Sequence, residues 1–164
     1  MTNTRIASVF GWEALDSRGR PTVACRARLA SGAGACVVVP SGASTGAYEA
    51  RELRDGGSRY GGFGVRRAVD NVNAVLGPGV TGLDATDQRV VDDRLRDLDG
   101  TAGFERLGAN AVLGVSLAVF CAAARPGAPR GPGPAMLPMP MFNIVSGGAH
   151  AQGALDIQDV LAVP

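Results

Sequence analysis

The chain has no lysine; every basic residue in it is arginine. That excludes a P-loop, which needs Lys after its last glycine, and it excludes a lysine general base within this segment. Histidine occurs once, at position 150. Cysteine occurs at 25, 36 and 121, an odd number without C-x-x-C spacing. Neither a Cys/His metal cluster nor a disulfide framework follows from these, and buried free thiols in a reducing compartment are expected. Excess charge of one sign is also missing: 16 Lys+Arg against 15 Asp+Glu give a net charge of +1, which makes no electrostatic case for nucleic acid or a membrane surface. Long hydrophobic runs are absent too. The most apolar stretch, Ala111 to Ala124, is shorter than the ~20 residues of a spanning helix and carries Gly114 and Ser116, so it reads as a core helix. The N-terminus leads into no sustained apolar segment of the kind a secretory signal has. A cytoplasmic location is expected.

What is present is enough for a packed domain: 164 residues, 46% of them hydrophobic. Ile6 to Leu15, Thr22 to Leu29 and Ala35 to Val39 read as strands, joined by short turns at 17–21 and 31–34, hence an antiparallel meander. Gly64 to Leu76 reads as a helix, with Val65, Val69, Val72 and Leu76 at helical spacing and Gly77-Pro78-Gly79 as its stop. Asp84 to Leu98 reads as a second helix capped by Asp84. Its inner face is Val91, Leu95 and Leu98; Arg89, Asp92, Asp93 and Arg96 fall on solvated faces. A third helix spans about Asn110 to Ala124. Residues 125–135 form a Pro/Gly linker, and Met139 to Val145 and Asp156 to Val163 are further strands. The pattern is an α+β unit of residues 1–124, a linker, and the opening of a second domain over 136–164.

Some tempting motifs fail. Gly61-Gly62-Phe63-Gly64 does not satisfy G-x-G-x-x-G, and the adjacent acids Asp92 and Asp93 point apart on a helix, unlike a glycosidase pair. The informative string is Val39-Pro40-Ser41-Gly42-Ala43-Ser44-Thr45-Gly46. Pro40 ends the strand. The loop after it combines glycines, which let backbone approach a ligand, with hydroxyls, which are hard oxygen ligands for a cation. Taken alone, Ser41, Ser44 and Thr45 read equally well as residues that cap local backbone.

This string resembles the mobile metal-binding loop of the enolase family, and further matches follow in order. They are Asp16-Ser17-Arg18-Gly19 with Pro21-Thr22-Val23, then Glu52-Leu53-Arg54-Asp55, then Leu107-Gly108-Ala109-Asn110-Ala111 with Gly114-Val115-Ser116-Leu117-Ala118. Later come Leu137 to Asn143, Gly147-Gly148-Ala149-His150-Ala151 and Ile157-Gln158. The resemblance implies a three-stranded meander followed by helices as an N-terminal capping domain, then the first two strands of a β/α barrel that the chain does not complete. It implies a lyase of glycolysis that dehydrates 2-phosphoglycerate to phosphoenolpyruvate with Mg2+, and a 164-residue chain that is inactive alone. Its substrate would be a small phosphorylated carboxylic acid, with no role for nucleic acid or membrane.

By the same resemblance, residues Ser41 to Gly46 form a lid, with Gly42 and Gly46 as hinges, and Ser44 supplies oxygens to magnesium. His150 donates to the substrate phosphate. Gln158 and Asp159 contact substrate, and Asp159 and His150 are the candidate catalytic groups. The chain departs from the family pattern at Asp159, where the family has Glu, and at Arg20, where it has Asn. It departs again at Ala24, where an acidic residue pairs across the family's homodimer. The shortened acid motivates a second reading, an enzyme of phosphonate biosynthesis similar to carboxyphosphonoenolpyruvate synthase. A third is a non-catalytic capping module that binds a partner through the face that would cover the barrel.

Overall fold

The computed structural model describes residues 3–42, 46–124, 137–148, 151, 153 and 155–164. The chain divides into two compact units. One runs to Ser41 and resumes at Tyr48; the other comprises Gly42–Ala47 and the C-terminal strands.

The first unit is α+β. Strands β1 (Ile6–Leu15), β2 (Pro21–Leu29) and β3 (Gly34–Val38) form an antiparallel sheet in the order β1-β2-β3. Alternation along β2 decides the faces: Val23, Cys25, Ala27 and Leu29 are buried, while Arg26 and Arg28 are exposed. The pairs Phe10↔Arg26, Trp12↔Ala24 and Ala24↔Val38 put these residues on the outer face. There the rings of Phe10 and Trp12 stack 6.2 Å apart. Against the inner face lies helix α4 (Ala109–Ala123), with Ala111, Val115, Ala118 and Val119 fully buried. The sheet and α4 come together where Gly114 faces Cys25, Val39 and Val23. Burial pushes the Cys25 thiol up to about 12. The expectation of buried thiols holds for Cys25 alone, since Cys36 is exposed and Cys121 half-buried. Cys36 pairs with Arg26 on the outer face of the sheet, away from the core.

The remaining helices are α1 (Arg66–Asn71), α2 (Gly77–Val80) and α3 (Gln88–Asp99). The helical path does not stop at Gly77-Pro78-Gly79 as the sequence predicts. A π turn, Val72–Leu76, links α1 to α2, and Pro78 falls in the first turn of α2, where a missing N–H is tolerated. The glycines serve close packing instead. A Cβ on Gly77 would lie 2.9 Å from the carbonyl oxygen of Val9 on β1, and one on Gly79 would run into Leu98.

Helix α3 also begins later than its sequence suggests. Asp87 is its cap, accepting from the Val90 amide at 3.2 Å, while Asp84 holds a separate turn through Thr86. Val91 and Leu95 face the core as expected. Asp92 does not sit on a solvated face: its Oδ1 accepts from Ser116 Oγ on α4 at 2.6 Å and from Gln88 Nε2 at 2.8 Å. Helical spacing cannot distinguish a solvated carboxylate from one bound to a neighbouring helix.

Glu13 projects from β1 toward α1. It accepts from the Val65 amide and from Arg59 Nη1, both at 2.9 Å. The bond to Arg59, followed by the one to the Val65 amide, holds its carboxyl below the usual carboxylate range. A depressed folded pKa stabilises the fold above the unfolded value and is lost as pH falls through the folded one. Glu13→Gln is therefore expected to cost about 1–2 kcal/mol at neutral pH. The gap between wild type and variant should shrink as pH drops below ~4. Urea titrations at pH 7, 4 and 3 test this; a gap that stays constant with pH would contradict it.

The second unit contains strands β4 (Phe142–Ser146) and β5 (Asp159–Ala162), paired antiparallel. They are shorter than the sequence predicts and begin or end at the polar residues that concern the site.

Candidate functional site

The loop string starts in a fixed frame. Val39 N–H bonds the Val23 carbonyl at 2.9 Å, and the buried Thr22 hydroxyl donates to the Val39 carbonyl at 2.7 Å. Two residues on, Ser41 is held by both of its oxygens. Arg18 Nη2 donates to its carbonyl at 2.6 Å, and Arg54 Nη2 to its hydroxyl at 2.8 Å. The hydroxyl in turn donates to Glu52 Oε2 at 3.2 Å.

Arg54 spends its whole guanidinium fork here. Nη1 reaches the carbonyls of Pro21 at 2.6 Å and Phe63 at 2.9 Å, and Nη2 and Nε reach Glu52 at 2.5 and 3.1 Å. Arg18 is oriented by the turn that carries it. Asp16 accepts from the amides of Arg18 and Arg20, both at 2.8 Å, and Gly19 takes positive φ. These bonds, the one from the Arg20 amide foremost, hold the Asp16 carboxyl below its ordinary value.

In the second unit the Gly147-Gly148 pair has a steric reason. A Cβ on Gly147 would strike the carbonyl oxygens of Ile157 and Leu155, and one on Gly148 would lie 3.4 Å from Gln158 Cα. The Gly147 amide donates to the Gln158 carbonyl at 2.6 Å and the Gly148 amide to that of Leu155 at 2.8 Å. Gln158 is thus built into the base of the loop. Asp159 opens β5, where Oδ1 accepts from Asn143 Nδ2 at 2.7 Å and from Ser146 Oγ at 3.1 Å. Residues three apart on a regular strand point to opposite faces. An irregularity between Asn143 and Val145 shifts the register, and both side chains reach the same carboxylate.

Of the expected site residues, the structure ties Ser41 into an arginine–carboxylate cluster and brings Gln158 and Asp159 together at one end of β5. Gly42 and Gly46 flank the loop. Ala43, Ser44, Thr45 and His150 lie outside the described residues. Sequence reasoning missed Arg18, Arg54 and Glu52 as a unit, and Asn143 and Ser146 as partners of Asp159. The Glu-x-Arg spacing of 52 and 54 was one available signal: in extended chain such residues share a side.

A cation was also expected. Among the described residues no group of three or more His, Cys, Asp or Glu is placed to hold a metal, and both Ser41 oxygens are already engaged. The described donors alone do not complete a magnesium site, and Ser44, the expected ligand, lies outside the described residues. A cavity of about 300 Å3 between α3 and α4, lined by Leu95, Phe104, Val112 and Leu113 with Asp92 and Ser116, includes none of the expected site residues.

The described chain is thus a sheet-and-helix unit followed by a separate strand pair. Comparison with known proteins gives the same two parts: the family described as "Enolase, N-terminal domain" matches residues 6–128 and "Enolase, C-terminal TIM barrel domain" matches 134–164. The chain is 52% identical to a protein named Enolase from Methanopyrus kandleri, over 98% of this chain and 39% of that relative. The chain belongs to the enolase family. It spans about two fifths of the length of that relative. Among the described residues, no helix is long and apolar enough to cross a membrane.

Proposed function

We propose that this chain is the capping domain and barrel entry of an enzyme that dehydrates 2-phosphoglycerate to phosphoenolpyruvate. The observation that carries the reading is the match to both enolase domains, in order, over residues 6–128 and 134–164. In this reading residues 1–124 are the cap, 125–135 the linker and 136–164 the barrel entry, and the enzyme is cytoplasmic.

The reaction removes a proton α to a carboxylate and expels a β-hydroxyl, chemistry for which the enolase superfamily is itself the standard example. A bound Mg2+ would stabilise the negative charge that builds on the substrate carboxylate. The chain's own residues would act around it. Ser44 would contribute oxygen ligands from the loop, and His150 would donate to the phosphate. Asp159, with one oxygen held by Asn143 and Ser146, would present the other to the departing hydroxyl. Gln158 would line the same end of the strand.

The 164-residue chain alone is expected to show no turnover. Extended by a complete enolase barrel, it is expected to form phosphoenolpyruvate only with Mg2+, and to lose that activity on Ser44→Ala. Turnover by the chain alone, or none in the completed protein, would overturn the reading. The shorter acid at 159 keeps the phosphonate-type substrate as a second reading, which the same assay distinguishes by which three-carbon acid is consumed.

A further inference from the structure

Ser41 lies near the surface, past the end of β3, yet both of its oxygens are bound by groups from two other segments. These are the 16–20 turn, through Arg18, and the 52–54 strand-like segment, through Arg54 and Glu52. Ordering long side chains costs conformational entropy, about 1.5–2 kcal/mol for each arginine. The cluster also stands at the boundary where the first unit ends, between Ser41 and Gly42. On the return side the chain is fixed by main-chain bonds: Arg51 N–H to the Gly103 carbonyl at 2.9 Å, and Ala109 N–H to the Arg51 carbonyl at 2.8 Å.

We propose that Arg54 and Arg18 are positioning residues for the exit of the chain from Ser41 to Gly42, gripping Ser41 at hydroxyl and carbonyl. The proposal rests on the reading of the 41–46 loop as part of the site, and it assigns a role to side chains outside it. Arg54 suits the task because a planar fork can satisfy several acceptors at once. It ties Ser41 to Pro21 and Phe63, so the root of the loop is referred to the rigid sheet. Lysine keeps the charge but not the fork, so Arg54→Lys should release the root.

The test is amide 15N relaxation on the 164-residue chain, without metal or substrate. Ser41→Ala removes one hydroxyl and leaves the arginines' other bonds intact, so the fold should survive. The order parameter of the Gly42 amide is expected to fall from near the rigid value of ~0.85 toward ~0.6 or below, with values in β2 and α4 unchanged. Ser41→Thr, which keeps a hydroxyl, should retain the wild-type value, and Arg54→Lys should behave like Ser41→Ala. An unchanged Gly42 in both Ser41→Ala and Arg54→Lys would overturn the proposal, and so would a loss spread evenly over the unit. The catalytic reading is judged separately. If Gly42 responds as expected while the barrel-completed protein shows no Mg2+-dependent turnover of 2-phosphoglycerate, the anchor stands and the enzymatic reading falls.

Discussion

Gly114→Leu is expected to destabilise the sheet-and-helix unit by about 3 kcal/mol or more, at the top of the ~1–3 kcal/mol range for overpacking or above it. On an exposed helix, replacing glycine by a better helix former gains about 1 kcal/mol. At 114 the sign reverses. Even one added methyl would lie 2.7 Å from Cys25 Sγ and 3.1 Å from Val39 Cγ2. Both neighbours are fully buried, on the central strand and at the end of β3, and neither can move away without parting the sheet from α4. Overpacking of a tight core by a few atoms costs about 1–3 kcal/mol, and a leucine adds more atoms than that. A cost at or above the top of that range is a large part of the ~5–15 kcal/mol that holds a whole domain together. Chemical denaturation followed by circular dichroism measures it. A milder pair isolates the cause. Gly114→Ala should destabilise in the wild-type background and be relieved in a Cys25→Ala background, where the obstructing sulfur is gone. Equal costs in the two backgrounds would show that the contact is not the reason for the glycine.

Asp159→Asn in the barrel-completed enzyme is expected to lower kcat by about 10²–10⁴-fold, the range a positioned acid or base contributes. The substitution keeps shape and can preserve the bond from Ser146, so a fall in rate would report chemistry more than folding. Asp159→Glu is the sharper experiment. One oxygen of Asp159 is fixed by Asn143 and Ser146, so the strand pair is built around the shorter stem. A longer stem would displace the carboxylate by about 1 Å, enough to change rate on the order of a hundredfold. If the hairpin has adapted to aspartate, glutamate should slow the enzyme, and Ser146→Ala should soften that loss. If glutamate instead speeds turnover of 2-phosphoglycerate, Asp159 is a defect in this scaffold and its partners are incidental.

Much of the fold was legible because it is written in local pattern. The strand at 22–29 is marked by the short turns on either side of it, and the mostly apolar stretch of α4 announced a helix enclosed by other elements. What failed were signals with two meanings. Gly77-Pro78-Gly79 has the residues of a helix stop, but those glycines are there for backbone contact with β1 and for the Leu98 side chain. Asp84 and Asp87 are both plausible caps three residues apart, and only tertiary placement of α3 chooses between them. In the candidate site, the loop string and the Gln158-Asp159 pair were readable as a resemblance. The clamp around Ser41 was not, because Arg54, beside its local bond to Glu52, finds three acceptors 13, 33 and 9 residues away in the chain. The triad on Asp159 depends on a register shift in β4 that no residue type announces.

The stacked pair on the outer side of the meander gives the molecule an optical gauge of its own. Trp12 is its sole indole, about one third open to water beside Phe10 and across from Ala24. A body that comes to rest against Trp12 is expected to change the emission of this one fluorophore, and nothing else in the chain contributes an indole signal to obscure it. Dilution from micromolar to nanomolar concentration would then report, without any label, whether a second subunit sits against this face of the sheet.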